Sequence, residues 1–267
     1  MPTVKLDAGH GGHDSGATGN GLREKDITLK IAKRVGAILT NDYTGVKVSY
    51  TRTTDKYVSL SQRTKEANRE NVDLFFSIHV NAGGGTGYED YIYNGLKTNS
   101  PTDKARQTVH NEVKKVLAKY GIRNRGMKKA NFHVLRETKM KAILVETLFI
   151  DNANDAKLLK NNNFLEDISQ AYAAGIAKVL GGKKKTKPKP KPNPSETIYR
   201  VQVGAFKSKA NAEKLKNQVK GKGFDAFVKY VDGLYKVQCG AFSVKANAEK
   251  QRDRLKKSGF DAFITTN

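Results

Sequence analysis

The chain predicts an α/β protein in two parts: a mostly parallel sheet covered by helices over residues 1–180, and a βαββαβ sheet of the split βαβ class over residues 198–267. Three observations carry this. Strand and helix patterns alternate along the first 180 residues, as in sheets whose crossovers are helical. A stretch rich in lysine and proline then interrupts the chain. Beyond it, a unit recurs at an offset of 36 residues.

Residues 3–6 form a short strand that runs into a glycine-rich loop. Over 26–40, Ile27, Ile31, Val35 and Ile38 fall near helical spacing, an amphipathic helix with one buried stripe. A strand over 46–50 and a helix over 60–71 follow. Residues 73–80 and 142–149 are apolar runs of strand length and read as buried strands. Helices are expected over 104–120 and 164–180. Residues 181–197 hold four of the six prolines and six lysines, with Glu196 the only acid. Lys-Pro alternation favours extended, self-repelling backbone, so this is a solvated spacer.

In the last segment YRVQVGAF (199–206) returns as YKVQCGAF (235–242), KANAEK (209–214) at 245–250, and GFDAF (223–227) at 259–263. Each unit begins with period-2 alternation, continues as a helix punctuated by Gly223 or Gly259, and closes on a short apolar strand. Neither unit alone could cover its sheet, so the two make one domain.

An apolar content of 37% over 267 residues is enough for an ordinary core. Lysine and arginine number 49 against 26 acids, a formal charge of +23, which points to a polyanionic partner: nucleic acid, an anionic membrane surface or an acidic wall polymer. The excess divides as +9, +5 and +9 over the two domains and the spacer between them, so no single nucleic-acid patch accounts for it. No apolar run approaches the roughly 18 residues of a membrane span. The single cysteine, Cys239, excludes an intramolecular disulfide and a multi-cysteine zinc site, and reads as a small buried apolar residue. No basic and apolar leader precedes the first motif, so no Sec-type signal peptide is expected.

Chemistry-bearing side chains collect where strands run out into loops, as they do in such sheets. Asp7-Ala-Gly-His10-Gly-Gly follows the first strand, Glu24 stands at the start of the first helix, and Ser77-Ile-His79-Val-Asn81 ends another strand. Imidazole nitrogen and carboxylate oxygen suit Zn²⁺, whose catalytic sites keep three protein ligands and one open position. Glu146, in Ile143-Leu-Val-Glu-Thr147, is a carboxylate costly to bury in an apolar strand without purpose. The spacings match no short zinc motif. Taken alone, His10 reads also as a turn or surface residue and Glu146 as a salt-bridged strand end.

Taken in order, the motifs are more specific. Residues 6–12 (LDAGHGG), 24–26 (EKD), 51–55 (TRTTD) with Leu60, Arg63, Ala67 and Asn68, 77–81 (SIHVN) and 145–152 (VETLFIDN) resemble the zinc-dependent N-acetylmuramoyl-L-alanine amidases of the amidase-3 family, which cleave bacterial peptidoglycan. The resemblance implies that His10, Glu24 and His79 are the zinc ligands and Glu146 the catalytic acid/base. The bond cut would join the lactyl group of N-acetylmuramic acid to L-alanine of the stem peptide. Two departures leave the metal set untouched: KMKA (139–142) stands where the family usually has a proline, and Thr147 is more polar than is common there. Arg52 reads either as a clamp for a substrate carboxylate or as the ion-pair partner of Asp55, and Asn81 is placed with it among substrate contacts. His13, His110 and His133 read as surface or loop residues.

The repeats resemble the SPOR (sporulation-related repeat) domain, which binds peptidoglycan glycan. Alternation puts Val201, Val203, Val237 and Cys239 under the helices and leaves Arg200, Gln202, Lys236 and Gln238 on the open face. Amide and cationic side chains suit sugar hydroxyls, so these four are the expected glycan contacts. The partners expected are peptidoglycan and anionic wall polymers, without specific nucleic-acid binding or membrane insertion, for a monomer. A non-catalytic wall binder, a nucleic-acid binder and a different zinc amidohydrolase are the alternatives; the aromatic RNP1 pattern that RNA binding calls for is missing from 199–206. A leaderless wall enzyme would be a phage endolysin let out by a holin or a host autolysin freed when a mother cell lyses.

Overall fold

The computed structural model describes residues 1–185 and 197–266, which fall into two units divided between Thr186 and Lys187. The first unit runs β1 (Thr3–Ala8), β2 (Thr18–Gly19), β3 (Leu22–Arg23), α1 (Glu24–Asp42), β4 (Tyr43–Thr44), β5 (Lys47–Tyr50), α2 (Leu60–Arg69), β6 (Leu74–Asn81) and β7 (Tyr88–Tyr93). It continues through α3 (Pro101–Tyr120), β8 (Asn124–Ala130), α4 (His133–Arg136), β9 (Lys141–Phe149), α5 (Ala153–Leu159), α6 (Asn162–Leu180) and β10 (Lys183–Lys184). Six strands make the main sheet in the order β5-β1-β6-β9-β7-β8. Four of its five pairings are parallel, and β7 against β9 is antiparallel.

The sheet is therefore mixed but mostly parallel, and two of its strands, β7 and β8, were not legible in the sequence. Residues 88–93 (YEDYIY) carry two adjacent acids and a single aliphatic residue instead of making an apolar run. Residues 124–130 (NRGMKKA) form a polar edge strand, and polarity of that kind discourages further pairing.

Alternation along the strands sorts side chains between two layers. Leu6, Phe76, Ile78, Ile143 and Val145 enter the large core, where Ile31, Val35, Val113, Phe164, Ile168 and Ile176 from α1, α3 and α6 meet them. Phe75, Ala142 and Leu144 face the other way, against Ala67, Val134 and Leu135 from the α2–α4 side. The same period carries Asp7, Ser77, His79 and Glu146 onto this second face, nearer the C-terminal ends of the parallel strands. Ser59 and Ser100 cap α2 and α3, each accepting from a backbone N–H in the first turn.

The spacer expected over 181–197 lies outside the described residues from 186 to 196. Before that point Gly181, with φ of 72°, closes α6, and β10 pairs antiparallel with β4. Among the described residues no helix is long and apolar enough to cross a membrane.

The second unit comprises β11 (Tyr199–Phe206), α7 (Lys209–Gly221), β12 (Phe227–Val231), β13 (Leu234–Phe242), α8 (Lys245–Lys257) and β14 (Phe263–Thr266). Its sheet has the order β12-β13-β11-β14, antiparallel throughout. Val201, Val203, Val237 and Cys239 are buried with Ala212, Val219, Ala248 and Leu255 of the helices. Burial pushes the Cys239 thiol up to about 11, which leaves it unreactive at neutral pH.

Candidate active site and metal centre

Three elements bring His10, Glu24 and His79 together: the loop after β1, the first turn of α1 and the end of β6. One ligand atom from each lies within 4.8 Å of the others. Glu24 is nearly fully buried and stands between the two rings. Its Oε2 is 3.2 Å from His10 Nε2 and its Oε1 3.0 Å from His79 Nδ1. Bond lengths of about 2.0–2.2 Å in a tetrahedral zinc site put neighbouring donors roughly 3.3 Å apart, so these separations fit a small divalent ion. The Glu24 oxygens also accept the backbone N–H groups of Ala17 and Val80.

Glycine makes room for the cluster at two points. A Cβ on Gly9 would sit 2.4 Å from the His79 ring, and one on Gly16 2.6 Å from the His10 ring and 2.7 Å from Glu24 Oε2. His10 itself holds φ of 62°, a left-handed conformation costly for a residue with a side chain. What holds it there was not read from the sequence. His10 Nδ1 donates to Asp14 Oδ2 (2.9 Å), which turns Nε2 toward Glu24, as outer carboxylates do for metal-binding histidines. A carboxylate four residues from a candidate ligand was the available signal. Arg63 donates to the His10 carbonyl (2.7 Å) and reaches Asp7 Oδ1 (2.6 Å) with its other arm. Asp7, fully buried, also accepts from Thr51 (2.7 Å) and Ser77 (2.7 Å).

The electrostatics ask for a cation. Burial would raise the Glu24 pKa, but the hydrogen bonds and charges of the two imidazoles outweigh it and hold the carboxyl well below its usual range. Burial likewise favours neutral His79, yet the Glu24 hydrogen bond and the charges of Glu146, Glu24 and Asp7 push it up to about 9. Burial opposes a charge on His10 too, but its hydrogen bond to Glu24 and the charge of that carboxylate shift it upward, so the site favours positive charge where a divalent ion would supply it.

Glu146 pairs with His79 across β6 and β9. Beyond it the register slips by one residue, so that Asn81 faces Phe149, and Leu148 takes φ of 69°. This bulge ends regular pairing next to the site, where bulges are often found. Glu146 Oε2 is buried without a hydrogen-bond partner among the described residues. Burial first, then the charges of Glu24 and Glu89, raise its pKa to about 7. That value suits a group that must both take and give a proton near neutrality. Beside the cluster a cleft of about 260 Å³ is lined by His10, His79, Tyr57, Val58, Leu60 and Arg63.

Other expectations need correction. Arg52 is 2% exposed and donates to the carbonyl oxygens of Ala8 (3.0 Å), Gly9 (2.8 Å) and Lys25 (2.8 Å), so it clamps backbone and not substrate. Asp55 pairs instead with Lys25 (2.8 Å) and accepts from Gly12 N–H. Asn81, partly exposed at the end of β6, donates to Glu89 (2.6 Å) and accepts from Ala82 N–H. His110 is buried on α3 between Asp90 (2.6 Å) and Asn124 (3.0 Å), while His13 stacks on Tyr57.

On the second unit's open face, Gln202 and Gln238 are only 4% and 5% exposed. They pair with each other at the middle of the sheet, and Phe263 and Phe227 flank them in the same row. Phe227 and Phe263 are themselves about half exposed, so aromatic side chains dominate what this row offers to solvent. Arg200 is half-buried, and Lys236 lies 3.3 Å from Asp232.

Residues 4–178 match the family described as N-acetylmuramoyl-L-alanine amidase, and residues 195–266 match the SPOR domain. The chain is 47% identical over 232 residues to the sporulation-specific N-acetylmuramoyl-L-alanine amidase of Bacillus subtilis, covering 87% of this chain and 86% of that one. It is 48% identical over 184 residues to the endolysin of Bacillus phage SPP1, 68% of each chain. The catalytic domain of CwlV, an amidase from Bacillus (Paenibacillus) polymyxa, superposes with a TM-score of 0.63 at 34% identity, covering 68% of this chain and all of that domain.

Proposed function

The chain belongs to the N-acetylmuramoyl-L-alanine amidase family, and from that premise we propose that it is a zinc-dependent enzyme whose metal is held by His10, Glu24 and His79 and whose proton carrier is Glu146. It is a peptidoglycan amidase with a SPOR cell-wall-binding domain. The observation that carries the finer reading is the unpartnered, buried Oε2 of Glu146 on the strand beside His79.

Zinc, when bound, supplies Lewis-acid polarisation of a carbonyl and makes water acidic enough to attack near neutral pH. Glu146 takes a proton from the attacking water at Oε2. It returns that proton to the amine of L-alanine as the carbon–nitrogen bond to the lactyl carbonyl breaks. The products are a muramyl carboxylic acid and a free stem peptide. Asp14 fixes the ring of His10, and the backbone N–H groups of Ala17 and Val80 hold the Glu24 carboxylate in place.

The open face of the second sheet is the proposed glycan-contacting surface. Phe227 and Phe263 offer stacking area, Gln202 and Gln238 support them from beneath, and Arg200 and Lys236 add polar contacts beside the row. The excess charge of +9 in residues 198–267 adds attraction for anionic wall polymers. The similarity to the sporulation-specific relative spans 232 residues and 87% of this chain, against 184 residues and 68% for the phage endolysin. This favours a role in mother-cell lysis over phage release.

Digestion of purified walls followed by mass spectrometry tests the reading. New muramyl carboxylates and free L-alanyl amino termini should appear, vanish with a chelator and return with added Zn²⁺. Glu146→Gln should keep stoichiometric zinc and lose nearly all hydrolysis; a fully active variant would refute the assignment.

A further inference from the structure

On the β7–β8 side of Glu146 lies a pair of cations that the mechanism above leaves unused. Glu89 stands across from Glu146 in the antiparallel pairing of β7 with β9. Directly opposed residues share a face and hold their Cβ atoms about 5 Å apart. Glu89 is 2% exposed and fixed on every side. Its Oε1 accepts from Asn81 (2.6 Å) and from the Tyr91 hydroxyl (2.8 Å). Its Oε2 accepts from Arg125 Nε (2.6 Å) and from the Lys128 ammonium.

The two cations are held but not consumed. One carboxylate faces two positive charges, which leaves a net positive charge beside the proton carrier. Arg125 gives Glu89 only its Nε; neither Nη nitrogen makes a hydrogen bond among the described residues. Its guanidinium lies over the Phe149 ring at 4.8 Å, and Lys128 lies over Tyr91. The Arg125 and Lys128 side chains remain 25% and 37% exposed, so both can be reached from solvent. A rigid guanidinium with a free edge is well suited to a carboxylate. Arg52, the other arginine considered for that task, is sealed among backbone carbonyls.

We propose that Arg125 and Lys128 form a carboxylate subsite that reads the peptide half of the substrate, one residue beyond the L-alanine. This rests on the amidase reading of the site. The residue position follows from lengths. Extended peptide advances about 3.5 Å per residue, so a carboxylate on the second residue lies about 7 Å from the scissile nitrogen. Strands are about 4.8 Å apart, and the cations reach back from β8 to the carboxylate on β7. Their charge therefore falls between one and two strand spacings from Glu146. L-alanine has its own carboxyl tied up in the next peptide bond, so the second residue is the first that can present a free one.

The test is the ratio of kcat/KM for two soluble muramyl-L-alanyl dipeptides, identical except that the second residue bears a free carboxylate or its carboxamide. The wild-type enzyme should favour the carboxylate by tenfold or more, and added salt should shrink the preference. Arg125→Gln/Lys128→Gln should bring the ratio close to one, chiefly through KM for the acid. Lys128→Gln alone, at the more exposed position, should give an intermediate ratio. A wild-type ratio near one, or a double variant that keeps the full preference, overturns the subsite. Wild-type enzyme inert toward both compounds would instead overturn the amidase reading and the subsite with it.

Discussion

Asp7→Asn isolates the charge at the hub beneath the His10 loop. The substitution keeps the shape of the side chain and its ability to accept from Arg63. With the amide oxygen at the Oδ1 position Thr51 still donates to it, and the Ser77 hydroxyl can rotate to accept from the new amide, so most hydrogen bonds survive. What is lost is the negative charge opposite Arg63, a guanidinium only 3% exposed whose other partners are the carbonyls of Val58, Ala8 and His10. Stranding one member of a buried ion pair costs about 3–5 kcal/mol, and the carbonyls around Arg63 place this case at about 3 kcal/mol. With a urea slope of about 2 kcal/mol per molar, the unfolding midpoint of the first unit should fall by about 1.5 M. Hydrogen exchange read on peptides from β1 and β6 across a urea series follows that unit without interference from the second. A double-mutant cycle with Arg63→Met should show that the two costs overlap by at least about 2 kcal/mol. A loss under about 1 kcal/mol, or costs that simply add, would mean that Asp7 and Arg63 do not depend on each other as buried charges.

Gly9→Ala places a methyl group 2.4–2.7 Å from three atoms of the His79 ring, so the ring must swing; zinc affinity in a chelator competition should drop about tenfold or more while far-ultraviolet circular dichroism is unchanged. Burial alone would raise the Glu89 pKa, but hydrogen bonds from Lys128, Arg125 and Tyr91 bring it down to about 2 from its ordinary 4.5. The stabilisation this gives is fully present above pH 4.5 and is lost as the pH falls from there toward 2, so the stability gap between wild type and Glu89→Gln should narrow over that range; urea midpoints at pH 6 and pH 3 with a constant gap would contradict it. Phe227→Ser/Phe263→Ser should weaken sedimentation with purified walls yet leave turnover of a soluble muramyl peptide intact, and undiminished sedimentation would remove the rings from the glycan surface.

The resemblance carried by the ordered motifs implies the set His10, Glu24, His79 and Glu146, which strand and helix ends alone leave open; the structure brings the first three together, with Glu146 on the neighbouring strand. The register of β6 against β9, which alternation within each strand leaves open, puts His79 and Glu146 on one face. Arg52 shows the limit. An arginine in a polar loop looks exposed, and its burial depends on carbonyls 27 to 44 residues away that no local pattern announces. Gln202 and Gln238 differ for a related reason: alternation puts them opposite the helix-covered face, but their burial there, with Phe263 and Phe227 as row neighbours, depends on cross-strand register. β7 and β8 escaped because β7 places acids among its aromatic residues and β8 is a polar edge strand, so neither has the apolar run by which a buried strand is recognised. The cations beside Glu146 escaped with them.

The central row of the second sheet, Phe227-Gln238-Gln202-Phe263, reads the same from either end, since each half is the other displaced by one repeat and turned about the point where the two glutamines meet. A palindromic surface is indifferent to polarity. A polymer with distinct head and tail meets ring, amide, amide and ring whichever way it runs along that row, so any preference for direction must come from the unmatched neighbours, Arg200 against Lys236 and Lys229 against Thr265.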